Sequence, residues 1–83
     1  MTRDDYDLEA FRERVLDAVM QMLINRIRHD AYPSATMMDV VERYISEDRV
    51  PQYLAVLFAK LTRDEYPSMD LLRRLVLFAA PSR

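Results

Sequence analysis

Eighty-three residues make one domain at most, and a lone domain of that size buries only about 60–65% of its unfolded surface. Apolar residues are 51% of the chain, which excludes intrinsic disorder, and the absence of cysteine excludes a disulfide staple or a thiolate zinc site. The net charge of −2 is uneven: residues 1–17 hold six acids against three arginines, and the remainder eight acids against nine bases. That is no basic footprint of the kind that nucleic-acid binders carry.

No apolar run approaches the roughly 20 residues that span a bilayer. The acidic opening "MTRDDYDLEAF" resembles neither a signal peptide nor a basic transit peptide, so the expected location is cytoplasmic with no membrane contact. There is no glycine, and hence none of the Asn-Gly, Asp-Gly or Gly-X pairs that tight strand hairpins favour. Apolar residues recur at spacings of three and four throughout, so the chain is read as all-α.

A first helix is expected from about Tyr6 to Arg28, capped by Asp4 or Asp5, with its early acids at the positive end of its dipole. Leu8, Phe11, Val15, Ala18 and Met22 follow a 3-4-3-4 rhythm, and Leu16, Met20, Leu23 and Ile27 form a second seam. A helix apolar on more than one side is surrounded. It is either central to its own bundle or paired with another chain.

A second helix is expected from Ser34 to Ile45, with Met37, Met38, Val41, Tyr44 and Ile45 inward. After the polar break "SEDR", Asp48 is expected to cap a third helix with Pro51 in its first turn, where a missing N–H costs little. Leu54, Leu57, Phe58 and Leu61 form its apolar stripe. A fourth helix is expected from Ser68 to Ala79, carrying Leu71, Leu72, Leu75, Val76 and Phe78 and ended by Pro81.

One phrase occurs twice. "DAYPS" at Asp30 returns as "DEYPS" at Asp64, an offset of 34. Pro33 and Pro67 push Tyr32 and Tyr66 out of helical geometry, which stops the preceding helix. Ser34 and Ser68 then stand where an N-cap oxygen is wanted. Each Tyr ring is left to cover its corner. Downstream, "MDVVERYI" matches "MDLLRRLV" at an offset of 31. The expected architecture is one domain of four helices, built as two αα-hairpins over residues 6–45 and 51–79. A period of 34 is that of tetratricopeptide repeats, but their Trp-Gly-Tyr signature is missing.

Catalysis has little material. His29 is the only histidine, and at a helix C-terminus its charge complements the dipole. No Gly-rich phosphate loop exists, and a lone histidine offers neither a triad nor a metal set. We therefore expect no enzyme, no cofactor and no metal. Eleven of the twelve bases are arginine, a residue that suits carboxylates, phosphates and protein interfaces alike. Arg73 and Arg74 in "MDLLRRL" could enter a major groove if the last two helices formed a helix-turn-helix.

The stretch from Val15 to Pro51 resembles the small DNA-packaging (terminase) subunits of short-tailed phages. The resemblance rests on Leu23, Arg26, Ile27, Ala35, Val40, Tyr44, Ile45 and Val50. It covers under half the chain, and departs from that family in lacking glycine at the turn and in repeating its pattern downstream. It implies a ring-forming adaptor that recognises DNA. From the residues themselves, the leading expectation is a non-enzymatic interaction or oligomerisation module acting as adaptor or regulator. Val19, Met20, Leu23, Arg26 and Arg73 are its expected interface, and self-association or a protein partner is favoured over nucleic acid.

Overall fold

The computed structural model describes the backbone of residues 2–63 and 68–80, and the side chains of residues 7–63 and 68–80. Four α-helices and one 3-10 turn account for them: α1 (Thr2–His29), α2 (Ala35–Tyr44), a 3-10 turn (Glu47–Arg49), α3 (Val50–Arg63) and α4 (Met69–Ala79). The fold is all-α, a small helical bundle. Helix α1 packs on α2, α3 packs on α4, and α1 also packs on α3.

The corners are built as the serines require. Ser34 and Ser68 hold extended backbone, φ −66°, ψ 133° and φ −67°, ψ 129°. Each Oγ accepts the N–H of the residue three places on, Met37 or Leu71, at 3.3 Å. That satisfies one of the otherwise unpaired donors of a helix start. Both helices also leave by the same route, through an extended residue, Ile45 or Ala80. No described residue has positive φ, so a chain without glycine forms these joints unstrained.

Several expectations need correction. Helix α1 begins at Thr2, so Asp4 and Asp5 lie inside it and do not cap it. Asp48 sits within the 3-10 turn, from which α3 grows directly at Val50, so it is no N-cap of α3. Tyr32 is 92% exposed, so its ring stands out from the corner instead of covering it. Tyr66, Pro67 and Pro81 fall outside the described residues. Tyr44 and Phe58 are exposed rather than inward, and the apolar Leu72 and Val76 of α4 are exposed too. On α3 the buried stripe is rotated one place from the expected one, to Tyr53, Val56, Leu57 and Lys60.

The rotation has a polar cause. Buried Lys60 reaches back to the end of α1, where its Nζ donates to the Arg28 carbonyl at 3.1 Å and to the Asp30 carbonyl. These carbonyls have no helical partner, and an ammonium there also complements the helix dipole. Tyr53, on the same face, is fully buried, stacks edge-on against Phe78 of α4 at 5.7 Å, and donates its hydroxyl to Glu42 Oε2 at 2.6 Å. Burial, with the Glu42 carboxylate beside it, pushes the Tyr53 phenol well above its ordinary pKa. The apolar core around it comprises Met20, Ile24, Ile27, Met38, Val41, Val56, Leu57 and Leu71.

Arg74 completes the closure. Its Nη1 lies 2.8 Å from Asp39 and 3.1 Å from Glu42 on α2, while its Nε lies 2.9 Å from Asp70 on its own helix. Burial works against its charge, and the three carboxylates outweigh that, raising its pKa above the ordinary arginine value. Glu42 thus receives Tyr53 from α3 and Arg74 from α4, and joins three helices. On the opposite side Arg49 makes a fork onto Asp17 of α1, Nε–Oδ1 2.6 Å and Nη2–Oδ2 2.7 Å, and also donates to Gln21. This bidentate geometry fixes the 3-10 turn against α1.

Two outcomes follow. Arg74→Ala leaves Glu42 without its cation in a half-buried setting. It lowers the unfolding free energy by about 2–3 kcal/mol, read by urea titration, whereas Arg73→Ala, on an exposed i,i+3 pair, costs at most about 0.5 kcal/mol. The second concerns acid. Asp17, through its hydrogen bonds from Arg49, and Asp70, through those from Arg74 and Arg73, are held below the ordinary 3.8. A depressed carboxylate contributes stability that is complete above its unfolded value and lost as pH falls through its folded value. The melting temperature should therefore decline as pH drops below 3.8, and an Asp17→Asn, Asp70→Asn double variant should flatten that acid limb.

Candidate functional site

The bundle leaves part of its longest helix uncovered. Helix α1 has 28 residues and is about 42 Å long at 1.5 Å per residue. Helices α2 and α3 have 10 and 14 residues. They pack along the C-terminal half of α1, where Met20, Ile24 and Ile27 are buried. Every residue from Asp7 to Ala18 is exposed. The molecule measures 57 × 31 × 18 Å with a radius of gyration of 15.2 Å, against about 12 Å for a compact chain of this length. Its accessible surface is 6597 Å², where a compact monomer of this mass shows about 5,200 Å².

The uncovered stretch is apolar along one line. Leu8 (45% exposed), Phe11 (55%), Val15 (44%) and Met22 (62%) stand outward together with Ala18. They are the residues of the 3-4-3-4 seam, which places them on one face of the helix. Leu8, Phe11, Val15, Leu16 and Val19 line a shallow groove with almost no polar wall. The core-facing side of α1, carrying Met20, Ile24 and Ile27, is a different face. So the two seams have different destinations: one enters the chain's own core and the other is left exposed among the described residues. Large contiguous apolar surface of this kind marks interaction sites.

Charge frames the stripe. Asp7, Glu9 and Glu13 lie toward its N-terminal end, interleaved with Arg12 and Arg14, of which Arg12 borders the groove, and Arg26, Arg28 and His29 occupy the last turn. Arg26 Nε pairs with Asp30 at 3.2 Å in the open, and the His29 ring lies 2.8 Å from the Asn25 carbonyl.

The expected interface residues are not gathered in one place. Met20 is 2% exposed and committed to the chain's own core. Val19 and Leu23 are half-buried where the stripe meets the bundle, and pack against that core. Arg26 is exposed alongside them, whereas Arg73 lies on α4, 3.0 Å from Asp70. The Arg74 that a groove-reading α4 would present is held by Asp39, Glu42 and Asp70. Among the corner residues, Tyr32 and Pro33 line one groove together with Ser68.

The reading from sequence missed the polar anchors Lys60, Arg74 and Arg49. One signal was visible: Lys60 is the only lysine among twelve bases and sits inside an apolar helical stripe. Among the described residues no helix is long and apolar enough to cross a membrane, and no group of three His, Cys, Asp or Glu is placed to hold a metal ion. Comparisons with protein-family models, with curated proteins and with solved structures return no match.

The contrast between the two faces of α1 is measurable. Ile24→Ala should cost the isolated chain about 2–5 kcal/mol through lost burial and a cavity. In dilute protein Phe11→Ser should change unfolding free energy by no more than about 0.5 kcal/mol, as a surface site does.

Proposed function

We propose that this chain is a non-enzymatic helical interaction module that self-associates through the outer face of α1. The observation carrying this reading is the stripe Leu8–Phe11–Val15–Ala18–Met22, apolar at heptad spacing and exposed among the described residues. Three considerations favour a second copy as the occupant.

The first is area. The surface exceeds that of a compact monomer by about 1,400 Å², which is more than the roughly 800 Å² per partner that a standard interface buries. The second is pattern. Residues at a and d of a heptad repeat fit the same pattern on an identical helix by knobs-into-holes packing. The third is charge: one end of α1 is acidic and the other basic, so the helix is complementary to itself. Val19 and Leu23 extend the apolar contact where the stripe reaches the bundle, and Arg26 forms its rim. The bundle of α2, α3 and α4 would then serve to hold and orient the pairing helix, as an adaptor or regulator does.

Light scattering on the eluting peak of a size-exclusion column tests this. The native chain should run as a dimer at micromolar concentrations. Val15→Asp buries a carboxylate at the centre of the stripe and should return it to a monomer with an unchanged helical circular-dichroism signal from the bundle. A native chain that stays monomeric at millimolar concentration overturns the proposal. Adding duplex DNA to the same runs tests the nucleic-acid alternative, since phosphate-driven binding weakens steeply with salt.

A further inference from the structure

We infer that the second copy covers α2 as well as α1, seating on a two-helix face in which Met37, Val40 and Tyr44 of α2 continue the apolar stripe of α1. This rests on the self-association proposed above and carries the contact from the extended helix onto the bundle. It holds whichever way the two copies run.

Helix α2 sends its side chains in three directions. Met38 and Val41 are buried in the core. Asp39 and Glu42 stand on one flank, where both pair with Arg74 of α4. Met37, Val40 and Tyr44 recur at spacings of three and four, which puts them on one line along the helix. At 3.6 residues per turn that line lies about 160° round the helix from Asp39 and Glu42. Val40 and Tyr44 are exposed, and Met37 is half-buried. So α2 has a charged flank tied to α4 and an apolar flank left open among the described residues.

The open flank adjoins α1. Met37 lines a groove with Met22, Leu23 and Arg26 of α1. Tyr44 lines another with Leu16 and Met20. Leu16 belongs in turn to the groove of Leu8, Phe11, Val15 and Val19. Apolar surface therefore passes from the extension of α1 through Leu16 to Tyr44, and from Met22 across Leu23 to Met37. Phe58 of α3 and Val76 and Leu77 of α4 are exposed as well, but they line none of these grooves.

Size points the same way. A standard interface takes about 20–30 residues a side, and the stripe of α1 alone is narrower than that. Two adjacent helices present a groove between their ridges, into which the side chains of a facing helix fit. Two such pairs closing on each other make a four-helix bundle between chains. Contact through α1 alone would leave Val40 and Tyr44 in water beside the interface.

The chain has no cysteine, so a single thiol reports its own burial. Val15→Cys, Val40→Cys and Phe58→Cys variants are prepared, and light scattering establishes the concentration at which each dimerises. The rate of maleimide labelling is then followed below and above that concentration. Where about nine-tenths of the chain is dimer, the thiols at positions 15 and 40 should react about tenfold more slowly than in the monomer, since only the residual monomer is labelled. The thiol at position 58 should react at an unchanged rate. A dimer that protects position 15 while position 40 keeps its monomer rate overturns the inference and leaves self-association through α1 standing. Protection of position 58 without protection of 15 or 40 overturns both proposals. So does a native chain that stays monomeric at millimolar concentration.

Discussion

Three short helices cannot cover a helix twice their length. That constraint shapes the whole molecule. Helix α1 extends about 42 Å, and the segments that fold back on it, α2 and α3 of 10 and 14 residues, fit only its C-terminal half, with α4 packed on α3. The core therefore gathers there, around Ile24, Ile27, Val41, Tyr53 and Leu57. Toward the N-terminus α1 runs on alone. Were those residues polar, the extension would read as a solvated arm. They are instead apolar at heptad spacing, which gives the extension an apolar outer face left exposed among the described residues.

A core this small needs more than apolar contact to fix its geometry, and it uses charged side chains as fasteners. Each spans a joint that apolar packing leaves open. Lys60 ties α3 to the end of α1 by capping carbonyls that the helix cannot pair itself. Arg49 ties the 3-10 turn to Asp17 and Gln21 on α1. Arg74 ties α4 to α2, and Glu42 passes that tie on to Tyr53. These partners are specific in direction, so they select one arrangement of short helices over others with equal burial. The cost of placing Arg74 in a half-dry setting is offset by three carboxylates. Removing any single partner would leave the rest under-compensated.

Sequence pattern disclosed the helices and the corners because both are local. The absence of glycine, the 3-4 rhythm, and a proline followed by a serine act within one turn of the residue that shows them. Ser34 and Ser68 cap where their neighbours require it. What stayed hidden depends on the third dimension. The α3 stripe rotates because Lys60 and Tyr53 find partners on α1, α2 and α4, and an apolar scale scores a lysine as outward. Tyr32 stands outward at the rim of a groove rather than over its corner, which its own sequence neighbourhood cannot reveal. On α1, periodicity found both apolar seams but not which seam faces inward. That assignment is made by α2 and α3, which pack onto the side carrying Met20, so Met20 of the expected interface set is taken up by the chain's own core while Arg26 stays exposed.

The division of α1 into a packed half and an exposed half also bears on stability. An isolated helical stretch of a dozen residues is marginal in water, because nucleation is costly and each added residue contributes little. The packed half supplies the nucleus here, so the exposed half propagates from it rather than starting afresh. What propagation alone does not supply is burial of Leu8, Phe11, Val15 and Met22. In the proposed dimer those side chains are buried at the same moment that the extension gains a neighbour, so association and helix stability become linked and the melting transition rises with concentration. The bundle's core residues add nothing to that linkage, since they are already buried within one chain. In that dimer one helix would belong to two cooperative units, with the boundary between them near Val19, where exposure gives way to burial.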